Sequence, residues 1–283
     1  MMWVIIALVF WLAAWAVNVA LARSRYHDTK LVRLIVPLLF GATLLVLWEG
    51  LVRGFSVSPV ILPAPSVVAQ TFANSTDILW VDFTQTVLKG AVSGYAIGCL
   101  SAFIAAIAID RSAFLTRGLL PIGNFVAALP IVGIAPILVS WFGFDWHSKA
   151  AVVVVMVFFP MLVNTVQGLR ETDQMQRDLM HTYAAGYVTT LTKLRLPAAM
   201  PFVFNGLKIA ATLALIGAIV AEYFGSPTRG MGFRISTGVG SLSIDLVWAE
   251  IFVAALAGSG FYGAVALIER AVTFWHPSQR GRA

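Results

Sequence analysis

"HTYAAGYVTTLTKLRLPAAMP" runs from His181 to Pro201, a polar, basic stretch lying between two long apolar runs. It closes on two prolines, Pro197 and Pro201. Residues 174–196 hold few helix breakers and carry Leu179, Tyr183, Leu191 and Leu194 as apolar positions, so they are expected to form one helix. Pro197 is expected to stop that helix, because proline lacks an N–H and its ring clashes with the preceding turn. Pro201 then suits the first turn of the next helix. A short helix held by a proline at a membrane face would present a docking surface. A helix lying flat on the bilayer is the competing reading.

The apolar runs on either side place the chain in a membrane. Of 283 residues, 59% are hydrophobic and only 11% charged, against about 25% charged in soluble domains. Too little polar material remains for a separate soluble domain. The net charge of +6 is spread over several loops, which argues for membrane topology and against nucleic-acid binding. Cys99 is the only cysteine, so no intrachain disulfide forms, and no Cys/His spacing marks a metal site. His27, His147, His181 and His276 are scattered, as loop residues would be. Neither G-x-S-x-G nor H-E-x-x-H occurs, so enzyme chemistry and a bound cofactor are not expected.

A spanning helix needs about 20 mainly apolar residues. Seven segments qualify, at about 2–22, 34–53, 84–109, 119–141, 150–169, 200–224 and 246–268. Their connecting segments alternate in charge. Residues 23–33, 110–117, 170–197 and the tail from Arg270 together hold 13 Lys/Arg; the other set holds 5, namely Arg53, Lys89, Lys149, Arg229 and Arg234. By the positive-inside rule the rich set is cytoplasmic, with the C-terminus inside and the N-terminus outside. "ALA" at 20–22 could end a cleaved signal peptide, but "RSR" follows the apolar run and nothing basic precedes it. That charge order is expected of a retained anchor.

Within the spans, Gly90, Gly94 and Gly98 share one helix face, a spacing that lets two backbones approach closely. Pro121, Pro130 and Pro136 border or enter one span, which is expected to be bent or discontinuous. Such breaks border pathways in transporters. Glu49, Lys208, Glu222 and Glu250 are ionisable residues near span ends. They rank as functional candidates by cost, although snorkelling to the interface would also explain each of them.

At the opening stretch the chain resembles the permease subunit of binding-protein-dependent ABC importers of the type I fold. Their cytoplasmic signature is E-A-A, three residues, G, nine residues, I-x-L-P. Aligned on Leu196-Pro197, Asp178 takes the Glu position, Leu179 and Met180 the alanines, Ala184 the glycine and Leu194 the isoleucine. The start of the signature is thus degenerate, with Gly186 two residues beyond the glycine position. "ILPAPSVV" (61–68), "ALPIVGIAPILVSWFG" (128–143), "FFPMLVNTVQGLR" (158–170), "LRLPAAMPFVFNGLKIA" (195–211) and "AEYFGSPTRGMGF" (221–233) resemble the nitrate/sulfonate/taurine-type subgroup, in that subgroup's order.

The resemblance implies an all-α polytopic membrane protein: a type I ABC importer permease core of six spans plus one extra N-terminal span. It covers roughly residues 34–270 as the permease domain. Residues 1–33 are left as an added anchor with a basic loop, and 271–283 as a cytoplasmic tail. Implied partners are ABC ATPase subunits, a periplasmic or lipid-anchored substrate-binding protein, a second permease subunit (identical or homologous) and the lipid bilayer of the bacterial inner membrane. ATP would be bound by the ATPase, since G-x-x-x-x-G-K-[ST] is missing here. Asp178, Ala184, Ala185, Gly186, Leu194, Leu196 and Pro197 are the implied ATPase-coupling residues. Pro130, Pro136, Asn164 and Glu222 are candidate pathway-lining positions. The implied cargo is a small organic solute or anion of the sulfonate, nitrate or vitamin-precursor type. A proton-coupled secondary transporter would want a chain of titratable residues, and a membrane scaffold would need no proline-broken span.

Overall fold

The structure, a computed structural model, describes residues 2–25, 29–127, 129–225 and 228–275. His27, His276 and the tail beyond Trp275 lie outside these residues. Every regular element among the described residues is helical. Among these residues six helices are long and apolar enough to cross a membrane: α1 Met2–Arg23, α2 Lys30–Gly54, α4 Thr76–Arg111, α7 Trp146–Arg170, α9 Tyr187–Gly225 and α11 Ile244–Val272. Shorter helices are α3 Pro65–Asn74, α5 Ala113–Ala127, α6 Ile131–Phe142, α8 Gln174–Thr182 and α10 Met231–Gly240.

The segment 119–141, expected as a seventh span, is not one helix. It is divided between α5 and α6, of 15 and 12 residues, each too short to cross alone. Pro130 is the cause. It cannot donate to the helix ladder, it drives the preceding residue away from helical geometry, and it sits in an extended conformation as the N-cap of α6.

The chain forms two compact units, residues 1–77 with 237–251 and residues 78–236 with 252–283. In the first, α1 packs on α2 through small residues. A side-chain carbon at Gly50 would collide with Ala7, and one at Gly54 with Val4. Glu49 binds Arg53 and also accepts from Ser66 N–H at 3.0 Å and Ser66 Oγ at 2.7 Å. Trp48 and Trp248 rings meet at 4.8 Å, and Thr71 donates to Asp245 at 2.7 Å.

In the second unit α4, α7 and α9 share a core of small and branched residues, including Ala102, Ala106, Val153, Val157, Ala210 and Ala214. The glycine face serves as its spacing implied. Gly94 lies against Val153 and the Ala150 carbonyl, and Gly98 against Val157 and Val154. Lipid offers no hydrophobic drive between spans, so close backbone approach and dispersion hold such helices together. Lys208 reaches Glu269 across α9 and α11 at 2.8 Å, with both side chains mostly buried. Glu222 and Glu250 are fully buried. Interface snorkelling therefore does not describe Lys208, Glu222 or Glu250: two are enclosed and the third is paired inside.

Candidate functional site

The loop between α7 and α9 does not form one helix over 174–196. It holds α8, then a turn at residues 183–186, and α9 begins at Tyr187. The C-terminal end of α8 is closed by its own backbone: Ala185 N–H bonds Met180 O at 3.0 Å and Ala184 N–H bonds His181 O at 2.9 Å. These two bonds make a Schellman motif with Ala184 in its left-handed position, φ 53°. Glycine is favoured there because an L side chain crowds the following carbonyl at a cost of about 1–2 kcal/mol. The signature glycine aligned with Ala184 thus has a physical reason, and alanine is a strained substitute. Ala184→Gly should stabilise the turn by about 1 kcal/mol. Hydrogen exchange at the Ala184 and Ala185 amides should slow about five-fold, readable by mass spectrometry.

Gly186 is different: its φ is −68°, and an added side-chain carbon would meet nothing within 4 Å. At the other end of α8, the Gln176 side chain accepts from Asp173 N–H at 3.2 Å. Asp178 is exposed, as is nearly all of α8. Met175, Leu179 and Tyr183, spaced four apart on one face, are 76%, 56% and 77% exposed.

Pro197 does not stop the helix either. Leu191–Arg195 forms a π-helical turn in which Leu196 N–H reaches back five residues to Leu191 O. This widened turn carries the chain past the proline, so α9 runs on through Pro197 and Pro201 to Gly225. Leu194 and Leu196 are half-buried on this segment. Beside them a polar group ties three helix ends together. Arg195 grips Asp110 with two bonds of 2.7 and 2.6 Å, and donates to Leu169 O at 3.0 and 2.8 Å. Tyr187 donates to Asp110 at 3.1 Å. The sequence reading missed this group, because its members are 77 or more residues apart in pairs with Asp110.

At the opposite ends of α7 and α9 lies a second cluster. Three successive amides at the start of α10 meet side chains of other helices: Gly230 N–H bonds Asp82 at 2.6 Å, Met231 N–H bonds Thr86 at 2.8 Å and Gly232 N–H bonds Glu222 at 3.2 Å. Carboxylates suit a helix N-terminus, where unpaired N–H groups leave partial positive charge. Thr86 donates to Glu222 at 2.6 Å, and Arg234 donates to Asp82 at 2.8 Å. Thr86 belongs to a π-helical turn, Thr84–Ala91, within α4. Lys149, counted from sequence as a loop charge, is fully buried and donates to Phe144 O and Gly225 O at 2.5 and 2.7 Å.

Of the candidate pathway positions, Asn164 and Glu222 lie far apart, whereas Ala135 and Ala221, the neighbours of Pro136 and Glu222, share one buried cluster. Pro136 lies within α6 and Pro130 caps its start. Asn164 donates to Pro160 O at 2.8 Å and accepts from Asn205 at 2.9 Å. Glu222 lies 17 residues beyond Asn205 on α9, or about 25 Å along the helix. Among the described residues no cluster of three or more metal-binding side chains occurs.

Comparison with known proteins fits this architecture. The family described as "Binding-protein-dependent transport system inner membrane component" matches residues 94–274. A probable ABC transporter permease protein of Haemophilus influenzae is 35% identical over 78% of this chain and 90% of its own length. A formylaminopyrimidine transport permease protein of Halalkalibacterium halodurans is 29% identical over 86% of this chain and 96% of its own. A taurine transport system permease protein of Escherichia coli is 26% identical, with 83% and 87% covered.

Proposed function

Because the chain belongs to the family of inner-membrane components of binding-protein-dependent transport systems, and so is a multi-pass permease subunit of an ABC importer, we propose that α8 is the element that seats in its ATPase. A partnership with an ATPase and a binding protein comes with the family; the residues that make the contact are our reading. The observation that carries it is the stripe of Met175 and Leu179 on a nine-residue helix closed at both ends, continued by Tyr183 at its C-cap. A short amphipathic helix docks by laying such a stripe into an apolar groove. Asp178, Ala184, Ala185 and Gly186 border that stripe, and Leu194, Leu196 and Pro197 belong to the stem that joins it to the membrane. ATP is bound by the ATPase and not by this chain.

The charge distribution supports placing residues 171–196 and the C-terminus in the cytoplasm and the 228–236 segment on the outer side. Residues 34–270 form the permease domain, with 1–33 an added anchor and 271–283 a tail. A second permease, identical or homologous, completes the pathway, to which Pro130, Pro136, Asn164 and Glu222 contribute. The names of the relatives support a small organic solute or anion as cargo.

Leu179→Asp tests the seating of α8. The side chain is exposed, so the permease itself should fold and insert normally. A carboxylate placed in an apolar groove should cost about 2 kcal/mol or more, a loss of ATPase affinity of about 30-fold. Copurification of co-expressed ATPase at the parental level would remove the assignment. A helix that only lies on the bilayer would give that parental result.

A further inference from the structure

The loop leaves α7 at Arg170 and re-enters the membrane helices at Tyr187. Irregular segments flank α8 on both sides, at residues 171–173 and 183–186. Irregular backbone of this kind can bend and absorb a push. A displacement of α8 reaches the spans only if something rigid stands behind it. We propose that Asp110 and Arg195 are that element, a positioning pair that makes the ends of α4, α7 and α9 move as one body when α8 is displaced. The proposal rests on α8 seating in the ATPase and adds how its motion enters the membrane.

The geometry supports this in three ways. First, the pair is nearly enclosed, with 13% and 7% of the Arg195 and Asp110 side chains exposed. Two parallel bonds between a guanidinium and a carboxylate fix direction as well as distance. Second, the same guanidinium binds Leu169 O, one of the last carbonyls of α7, which has no partner within its own helix. One side chain thereby bridges the two sides of the loop, from Leu169 at the end of α7 to Arg195 in the first turns of α9. Third, the re-entry residue Tyr187 is bonded to the same Asp110, and the Arg111 guanidinium lies 5.4 Å from the Tyr187 ring centre. Arg195 itself closes the π-helical turn that precedes Pro197, and such turns recur at functional sites.

The test uses the permease co-expressed with its ATPase and compares Asp110→Asn and Arg195→Lys with the parent. Asp110→Asn keeps the size of the group and Arg195→Lys its charge, and both lose the two-pronged grip. Hydrogen exchange is measured at residues 144–149, at the far end of α7, with and without ATP plus vanadate. We expect the nucleotide-dependent difference to fall at least five-fold in both variants while ATPase copurification stays parental. A parental exchange difference in either variant overturns the proposal. Loss of ATPase copurification in both also overturns it, since the pair would then serve assembly alone. Failure of the seating itself is a separate result, read from parental copurification in Leu179→Asp.

Discussion

Gly232→Ala should leave a permease that is destabilised by about 3 kcal/mol or more. A side-chain carbon at this position would be driven into the Ile219 carbonyl oxygen and would stand 2.8 Å from Glu222 Cβ. A flexible side chain could step aside, but Ile219 presents main chain inside α9, which cannot. Over-packing of a dense interior costs about 1–3 kcal/mol and sometimes more. The shift would also pull the Gly232 N–H from the buried Glu222 carboxylate, at a further cost of about 1–3 kcal/mol. For a chain of this size the melting temperature in detergent should drop by about 6–12 °C. Gly240→Ala, on the same helix but with nothing within 4 Å, should melt within about 1 °C of the parent. Equal melting of the two variants would contradict the close packing of α10 on α9.

Asp82→Ala should also be destabilising, for a different reason. Asp82 is fully buried, and it accepts from both Gly230 N–H and the Arg234 guanidinium. Its loss leaves the buried Gly230 N–H without its acceptor and takes a carboxylate from Arg234, whose side chain is 24% exposed, at a cost of about 1–3 kcal/mol. Asp82→Asn keeps an acceptor for the amide and should cost less than half as much. A double-mutant cycle with Arg234→Ala isolates the pair. Additive losses would mean that Asp82 stabilises the start of α10 without help from Arg234.

The long helices were legible because a bilayer makes a simple demand, about 20 apolar residues in a row. The glycine face of α4 was legible for a similar reason: Gly90, Gly94 and Gly98 repeat at the helical period, and α7 packs there. The break near Pro130 followed from proline chemistry. The same chemistry misled at Pro197, where a π-helical turn upstream makes room for a ring that an α-helix would exclude. Ala184 carries no mark of its left-handed backbone in its own residue type; only its alignment with the signature glycine pointed there. The polar groups were the least legible. Asp82 and Arg234 are 152 residues apart, Asp110 and Arg195 are 85 apart, and Lys149 looks like any loop lysine until Gly225 O is seen beside it. One chain read alone shows periodicity along a helix but does not show which helices meet.

The pairing of Trp48 with Trp248 and of Thr71 with Asp245 has a consequence for biogenesis. Both contacts join the first helices made to residues near the end of the chain. A ribosome adds about 5–20 residues per second, so α2 and α3 wait roughly ten seconds or longer before their partners emerge. Meanwhile α1 and α2, joined by a short connection, can pack together through Gly50 and Gly54 as soon as both are inserted. The early hairpin is therefore a holding state. Thr71, on the α3 that follows it, stays open to water, lipid headgroups or an insertion factor until synthesis is nearly complete.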